Sequence, residues 1–153
     1  MVKKSVLFIL LIFGLFFIPL SVTFADGEVP PPGSKPLSKI LQSVEEQKSG
    51  VVAEVEFEDG LWEVTVCEAD ACEELHIDPE SGGVKQTEKT GSEETPPDNA
   101  MQLSKIVQTV EDREQGIVTE VEFDDEVWEI ELLKNGEEME LEIDPATGEI
   151  KAE

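Results

Sequence analysis

The side chains in this sequence that could do chemistry are two cysteines, Cys67 and Cys72, one histidine, His76, and a large excess of carboxylates. Asp and Glu number 36 against 11 Lys and Arg in 153 residues, a formal charge of -25, and there is no Tyr. A single His leaves no set of nucleophile, base and orienting group, so no catalytic residues are expected. Phosphate recognition depends on Lys and Arg that release counterions, which argues against nucleic acid and anionic membrane surfaces as partners. Basic proteins, basic peptides and cations are the compatible ones. Carboxylates suit hard divalent cations, yet no loop carries the spaced Asp, Asn and Gly ligands of a dedicated calcium site. The expectation is no cofactor and no metal site, with weak divalent cation binding as the most the carboxylates would support.

What the cysteines and carboxylates can do depends on the elements that position them. Leu37 to Lys85 aligns without a gap on Leu103 to Lys151 at an offset of 66, with 23 of 49 positions identical, so the chain carries an internal repeat. In each copy apolar residues first recur at helical spacing, Leu37, Ile40, Leu41 and Val44 or Leu103, Ile106, Val107 and Val110, and Gly50 or Gly116 follows where a helix should stop. The period then drops to two, through Val55 and Phe57, Trp62 and Val64, then Leu75 and Ile77, with charged residues between. Asp59-Gly60 and Asn135-Gly136 suit two-residue hairpin turns. Around the first turn Phe57 faces Trp62; around the second, Ile130 faces Leu141 and Trp128 faces Ile143. A slip of one residue would break every such pair. Each copy therefore predicts a helix packed on a three- to four-stranded antiparallel β-sheet, an α+β class, with Trp62 and Trp128 in the core.

The same register decides the cysteines. The repeat maps Cys67 and Cys72 onto Leu133 and Glu138, which face each other one step outside the pair flanking the Asn135-Gly136 turn, a non-hydrogen-bonded position where side chains approach closely. Four intervening residues do not match the redox motif, and two Cys with one His fall short of a closed zinc site. A disulfide between Cys67 and Cys72 is expected.

The outward face is the least ordinary feature. In the second copy the pairing lines up Glu122, Glu129 and Glu142 in one row and Glu120, Glu131 and Glu140 in the next. Like charges facing each other across strands destabilise a sheet, and a surface built only for solubility would intersperse Lys. The six carboxylates are the candidate partner-binding face; the bland alternative is a solvated surface. In the first copy the rows are diluted by His76 and Thr65.

Residues 1–25 read as a signal peptide. Lys3 and Lys4 form a basic start, Val6 to Leu20 an apolar run, and Thr23-Phe24-Ala25 a small-residue site, so cleavage is expected after Ala25 and the product in the periplasm or medium. Cleavage takes two Lys and no acid, leaving -27. Residues 26–35 and 86–99, poor in apolar residues and rich in Pro, Gly, Ser or Glu, read as flexible linkers around units at 36–85 and 100–153.

The order of helix, Gly, strand and Trp-Glu strand, closing on Ile143-Asp144-Pro145-Ala146-Thr147-Gly148-Glu149-Ile150, resembles the PepSY domain family in both units, about two thirds of the chain. The ending has a physical basis, since Pro145 presets the first turn residue, Asp144 can bond the backbone ahead of it and Gly148 accepts positive φ. In the first unit Ser81 and Gly83 stand where the second has Thr147 and Glu149. PepSY units occur in propeptides of thermolysin-like metallopeptidases and are proposed to restrain peptidases. The resemblance implies an exported, non-enzymatic module that modulates or inhibits another exported protein, such as a peptidase. The alternative is a cation-binding or salt-adapted envelope protein without a dedicated partner. The duplicated plan also resembles that of β-lactamase inhibitory proteins, whose sheets present a binding face.

Overall fold

The computed structural model describes residues 28–69 and 71–151; the expected signal peptide lies outside them. Helix α1 (Leu37–Gln47) precedes strands β1 (Val51–Glu58), β2 (Leu61–Glu68), β3 (Ala71–Ile77) and β4 (Val84–Thr90), and helix α2 (Leu103–Glu114) precedes β5 (Ile117–Asp124), β6 (Val127–Lys134) and β7 (Glu137–Ile143). The apolar stripes sit where the helical period puts them, with Leu37, Ile40, Leu41 and Val44 buried on α1 and Leu103, Ile106, Val107 and Val110 on α2.

The hairpins take the expected registers. Asp59 and Gly60 have φ of 48° and 78°, Asn135 and Gly136 56° and 83°, the left-handed pair that matches the twist of antiparallel strands. Phe57 faces Trp62 and Phe123 faces Trp128, each pair edge to face with ring centroids 5.0 and 5.2 Å apart. Both Trp side chains are buried, as expected. Gly50 and Gly116 do more than end helices. A Cβ on Gly50 would stand 2.7 Å from the Cys67 carbonyl oxygen, and one on Gly116 would meet Leu132 Cδ1, so glycine lets the chain turn closely under the second strand of each half.

Two expectations are corrected. The sequence suggested two sheets joined by a flexible linker, whereas β1 pairs antiparallel with β5, Val55 opposite Val121. The result is one seven-stranded antiparallel sheet in the order β4-β3-β2-β1-β5-β6-β7, covered on one face by the two helices, with one core running through both halves. A unit of about 50 residues buries too little on its own, and pairing β1 with β5 removes an exposed edge from each half.

The second correction concerns residues 86–99. Gln86 to Thr90 are not linker but the body of β4, paired with β3 through Glu73↔Lys89, Glu74↔Glu88 and His76↔Gln86. Every residue of β4 is exposed, so backbone hydrogen bonds hold the strand and no apolar period announces it. Residues 28–35 are likewise tied to the first half. The Lys35 N–H donates to the Pro79 carbonyl at 2.9 Å and the Gly60 N–H to Glu28 Oε2 at 3.1 Å.

Candidate functional site

The helices occupy one face of the sheet and leave the other to alternate residues of the strands. On that face the structure lines up Glu122, Glu129 and Glu142, and Glu120, Glu131 and Glu140, as the hairpin register predicts. The β1–β5 junction then does what one repeat could not disclose. Glu54 stands opposite Glu122 and Glu56 opposite Glu120, so the rows continue into the first half. One row runs His76, Glu63, Glu56, Glu120, Glu131, Glu140; the other runs Glu74, Thr65, Glu54, Glu122, Glu129, Glu142. Neither row contains a Lys or Arg across six strands.

The centre of this field lies at the junction. Glu120 is half-buried, and the loss of water around it, followed by repulsion from Glu131, Glu56, Glu122 and Glu54, pushes its carboxyl up to about 7. Glu54, Glu56, Glu63 and Glu129 are also raised, in each case first by burial and then by neighbouring carboxylates. Burial of a sheet's outward face depends on neighbours that no single hairpin specifies. Glu120, Glu131, Glu56 and Glu28 also line a cleft with Thr119 and Phe57. A surface of this kind holds a cationic side chain well, since every such contact relieves repulsion already present.

The cysteines meet as expected, Cys67 opposite Cys72 in a disulfide. With Ala53 they form a small buried cluster separate from the main core. The bridge braces the tip of the β2–β3 hairpin and has no counterpart in the second half.

His76 lies between two carboxylates, Nδ1 3.4 Å from Glu63 Oε1 and Nε2 2.9 Å from Glu74 Oε1. Neither contact is aligned as a hydrogen bond, and Nε2 has no hydrogen-bond partner. Glu63, Glu74 and His76 bring one ligand atom each to within 4.8 Å of one another. That is three donors, one short of a closed tetrahedral site, and the two ring nitrogens address different carboxylates.

The closing turns of both halves use the expected device. Asp144 Oδ1 accepts from the Thr147 N–H at 2.8 Å, the Thr147 hydroxyl at 3.0 Å and the Ala146 N–H at 3.0 Å, and Asp78 Oδ1 accepts from the Ser81 hydroxyl at 2.7 Å and the Ser81 N–H at 2.8 Å. These bonds hold both carboxyls below their usual range, Asp78 at about 2. Gly148 and Gly82 follow with φ of 70° and 68°. Among the described residues no helix is long and apolar enough to cross a membrane.

Residues 91–153 match the family model PepSY_2, described as peptidase propeptide and YPEB domain. No curated protein matches the chain. Among solved structures, the chain is similar to a Clostridium difficile protein described as a "putative lipoprotein", with a TM-score of 0.47 and 13% identity over 80% of this chain and 93% of that one.

Proposed function

We propose that the protein, whose residues 91–153 match the PepSY_2 family model, is an exported, non-enzymatic binding module that docks a basic segment of another exported protein, a peptidase being the leading class, and so restrains it. The observation that carries this reading is the pair of glutamate rows, unbroken by Lys or Arg across six strands and centred on Glu120. A partner supplying Lys or Arg side chains to that centre gains charge-assisted contacts and lifts repulsion in one step. The family description, peptidase propeptide, supports the choice of partner class.

The test is crosslinking of the mature chain in the envelope fraction and medium of its source cells, beside a variant with Glu120, Glu129 and Glu131 all changed to Gln. An exported protein captured by the wild type, lost with the variant and bound more weakly as salt rises is the expected result. Equal capture by both chains would move the function away from this face. The second reading is a salt-adapted envelope protein whose acids serve only solvation; it predicts that the variant loses solubility and no partner.

A further inference from the structure

The joint between the halves obeys the offset of the repeat. Val55 faces its own repeat counterpart, Val121; Glu54 faces Glu122, the counterpart of Glu56, and Glu56 faces Glu120, the counterpart of Glu54. The helices follow the same rule, since Ser38 bonds Glu111 while their counterparts, Ser104 and Glu45, bond each other. A pseudo-two-fold axis thus passes between Val55 and Val121, and the joint is isologous: one patch, present twice, meets itself. The pairing segments Glu54-Val55-Glu56-Phe57 and Glu120-Val121-Glu122-Phe123 have the same residues in the same order, and both valines are 0% exposed. Nothing in such a patch records which chain its partner belongs to.

The connector alone keeps the pairing within one chain. It runs from Gly91, after β4, to Ala100, just ahead of the Met101 N–H that donates to the Pro145 carbonyl at 2.8 Å, and it is almost wholly exposed. Its task is a crossing. β4 lies three places from β1 in the sheet, whereas Met101 borders one cleft with Gly50, Val51 and Val52 at the start of β1. Three strand spacings come to ~14 Å, and residues 91–100 reach roughly 30 Å when extended. Length therefore decides whether the joint closes within the chain.

We infer that the joint also accepts a second copy of this chain: β1 of one copy pairs with β5 of the other, and the reverse, giving a dimer of two complete sheets linked by two connectors. Val55 and the buried stripe of α1 then meet Val121 and the stripe of α2 across chains, and the Ser38–Glu111 and Ser104–Glu45 bonds form there too. Every contact of the monomer's joint is kept, so exchange of halves costs no interface. The connector sets the balance, because it holds the second half near the first at an effective concentration on the order of millimolar. Dilute chains close on themselves. Concentrated chains, or chains with a shortened connector, exchange halves, and each dimer carries the glutamate rows twice.

The test deletes Ser92 to Asn99 from the otherwise intact chain, leaving Gly91 and Ala100, whose reach of ~10 Å falls short of the crossing. The expected result is a folded particle of twice the chain mass by light scattering, with the circular dichroism of the wild type. A folded monomer with that spectrum would overturn the proposal. Where the shortened chain fails to fold, a second measurement on the full connector decides. Chains carrying Glu54→Cys are mixed with chains carrying Glu122→Cys, unfolded and refolded together in urea without reductant at rising concentration, then treated with a short bismaleimide. These positions face each other across the joint, so a two-chain product requires exchange. It should exceed tenfold the yield from the same mixture never unfolded, and grow with concentration; no product above that background at any concentration overturns the proposal. Neither measurement depends on whether the acidic face docks a partner.

Discussion

Ser104 at the start of α2 is capped by Glu45 of α1, its N–H donating to Glu45 Oε1 at 3.1 Å and its hydroxyl to Oε2 at 2.5 Å. The relationship is reciprocal. The Ser38 hydroxyl donates to Glu111 Oε2 at 2.6 Å, with the Ser38 N–H 3.4 Å from Oε1. Pro36 and Gln102, the residues in the N-cap positions, make no side-chain cap. Each helix start would otherwise leave N–H groups unsatisfied in a part-buried setting, and the other half of the chain supplies the missing acceptor.

This arrangement predicts that Glu45→Ala or Ser104→Ala destabilises the fold by about 1–2 kcal/mol, the usual cost of losing a cap whose donor is partly buried. The double substitution should cost less than the sum, because each removes the same bonds. Urea melts of the three variants check it. Full additivity would mean that the two groups act independently.

Glu126 sits where the first half has Gly60, and both Asp125 and Glu126 adopt positive φ, 45° and 70°. A side chain in that region costs about 1 kcal/mol per residue. Glu126→Gly should therefore stabilise the protein by about 0.5–1 kcal/mol and remove one charge from a crowded surface. The midpoint of denaturant unfolding should rise; a fall would show that the Glu126 side chain makes a compensating contact.

The carboxylates of the acidic face give stability a pH dependence of defined sign. In the fold the Glu120 carboxyl is pushed up to about 7 from its ordinary 4.5, so above pH 7 the folded state carries a charge that destabilises it relative to the unfolded chain. The penalty lifts as pH falls through about 7 and is gone below the unfolded value. Asp78, held at about 2, acts in the opposite sense, and its contribution is lost as pH falls from about 4 toward 2. Stability should thus rise from pH 8 to a maximum near pH 5 and fall in stronger acid. Glu120→Gln should raise stability at pH 8 by on the order of 1 kcal/mol after solvent screening and flatten the rise between pH 8 and 5. Added salt should give a smaller gain in the variant than in wild type. Melts of wild type and variant at pH 5, 6.5 and 8, at low and high salt, measure these effects.

The Cys67–Cys72 bridge closes a short loop at a sequence separation of 5, so little chain entropy is removed from the unfolded state. Changing both cysteines to Ala should cost about 2 kcal/mol or less and leave the second half of the sheet intact, because that half folds without such a bridge. Intact-mass measurement of envelope-purified protein should find no free thiol, and melts with and without reductant should differ by that small amount.

The sequence by itself determined whatever depends on a local turn. Asp59-Gly60 and Asn135-Gly136 fix which residues face each other in one hairpin of each half, and the internal repeat carries those registers to the other hairpin, so that the Phe57–Trp62 pair, the Cys67–Cys72 bridge and the carboxylate rows within each half follow. The tight loops leave a single alignment that puts the core side chains, Phe57, Trp62, Ile130 and Leu141 among them, on the same face. Only the tertiary structure decided how the halves meet. No turn links β1 to β5, so nothing in the chain between them sets the alignment of Glu56 with Glu120 or of Glu54 with Glu122; that register comes from packing α1 against α2 over one core, with the Ser38–Glu111 and Ser104–Glu45 bonds across it. The strand β4 was hidden for a related reason. Its residues are all exposed, so its existence rests on the backbone of β3, and an exposed backbone partner leaves no mark in the pattern of side chains.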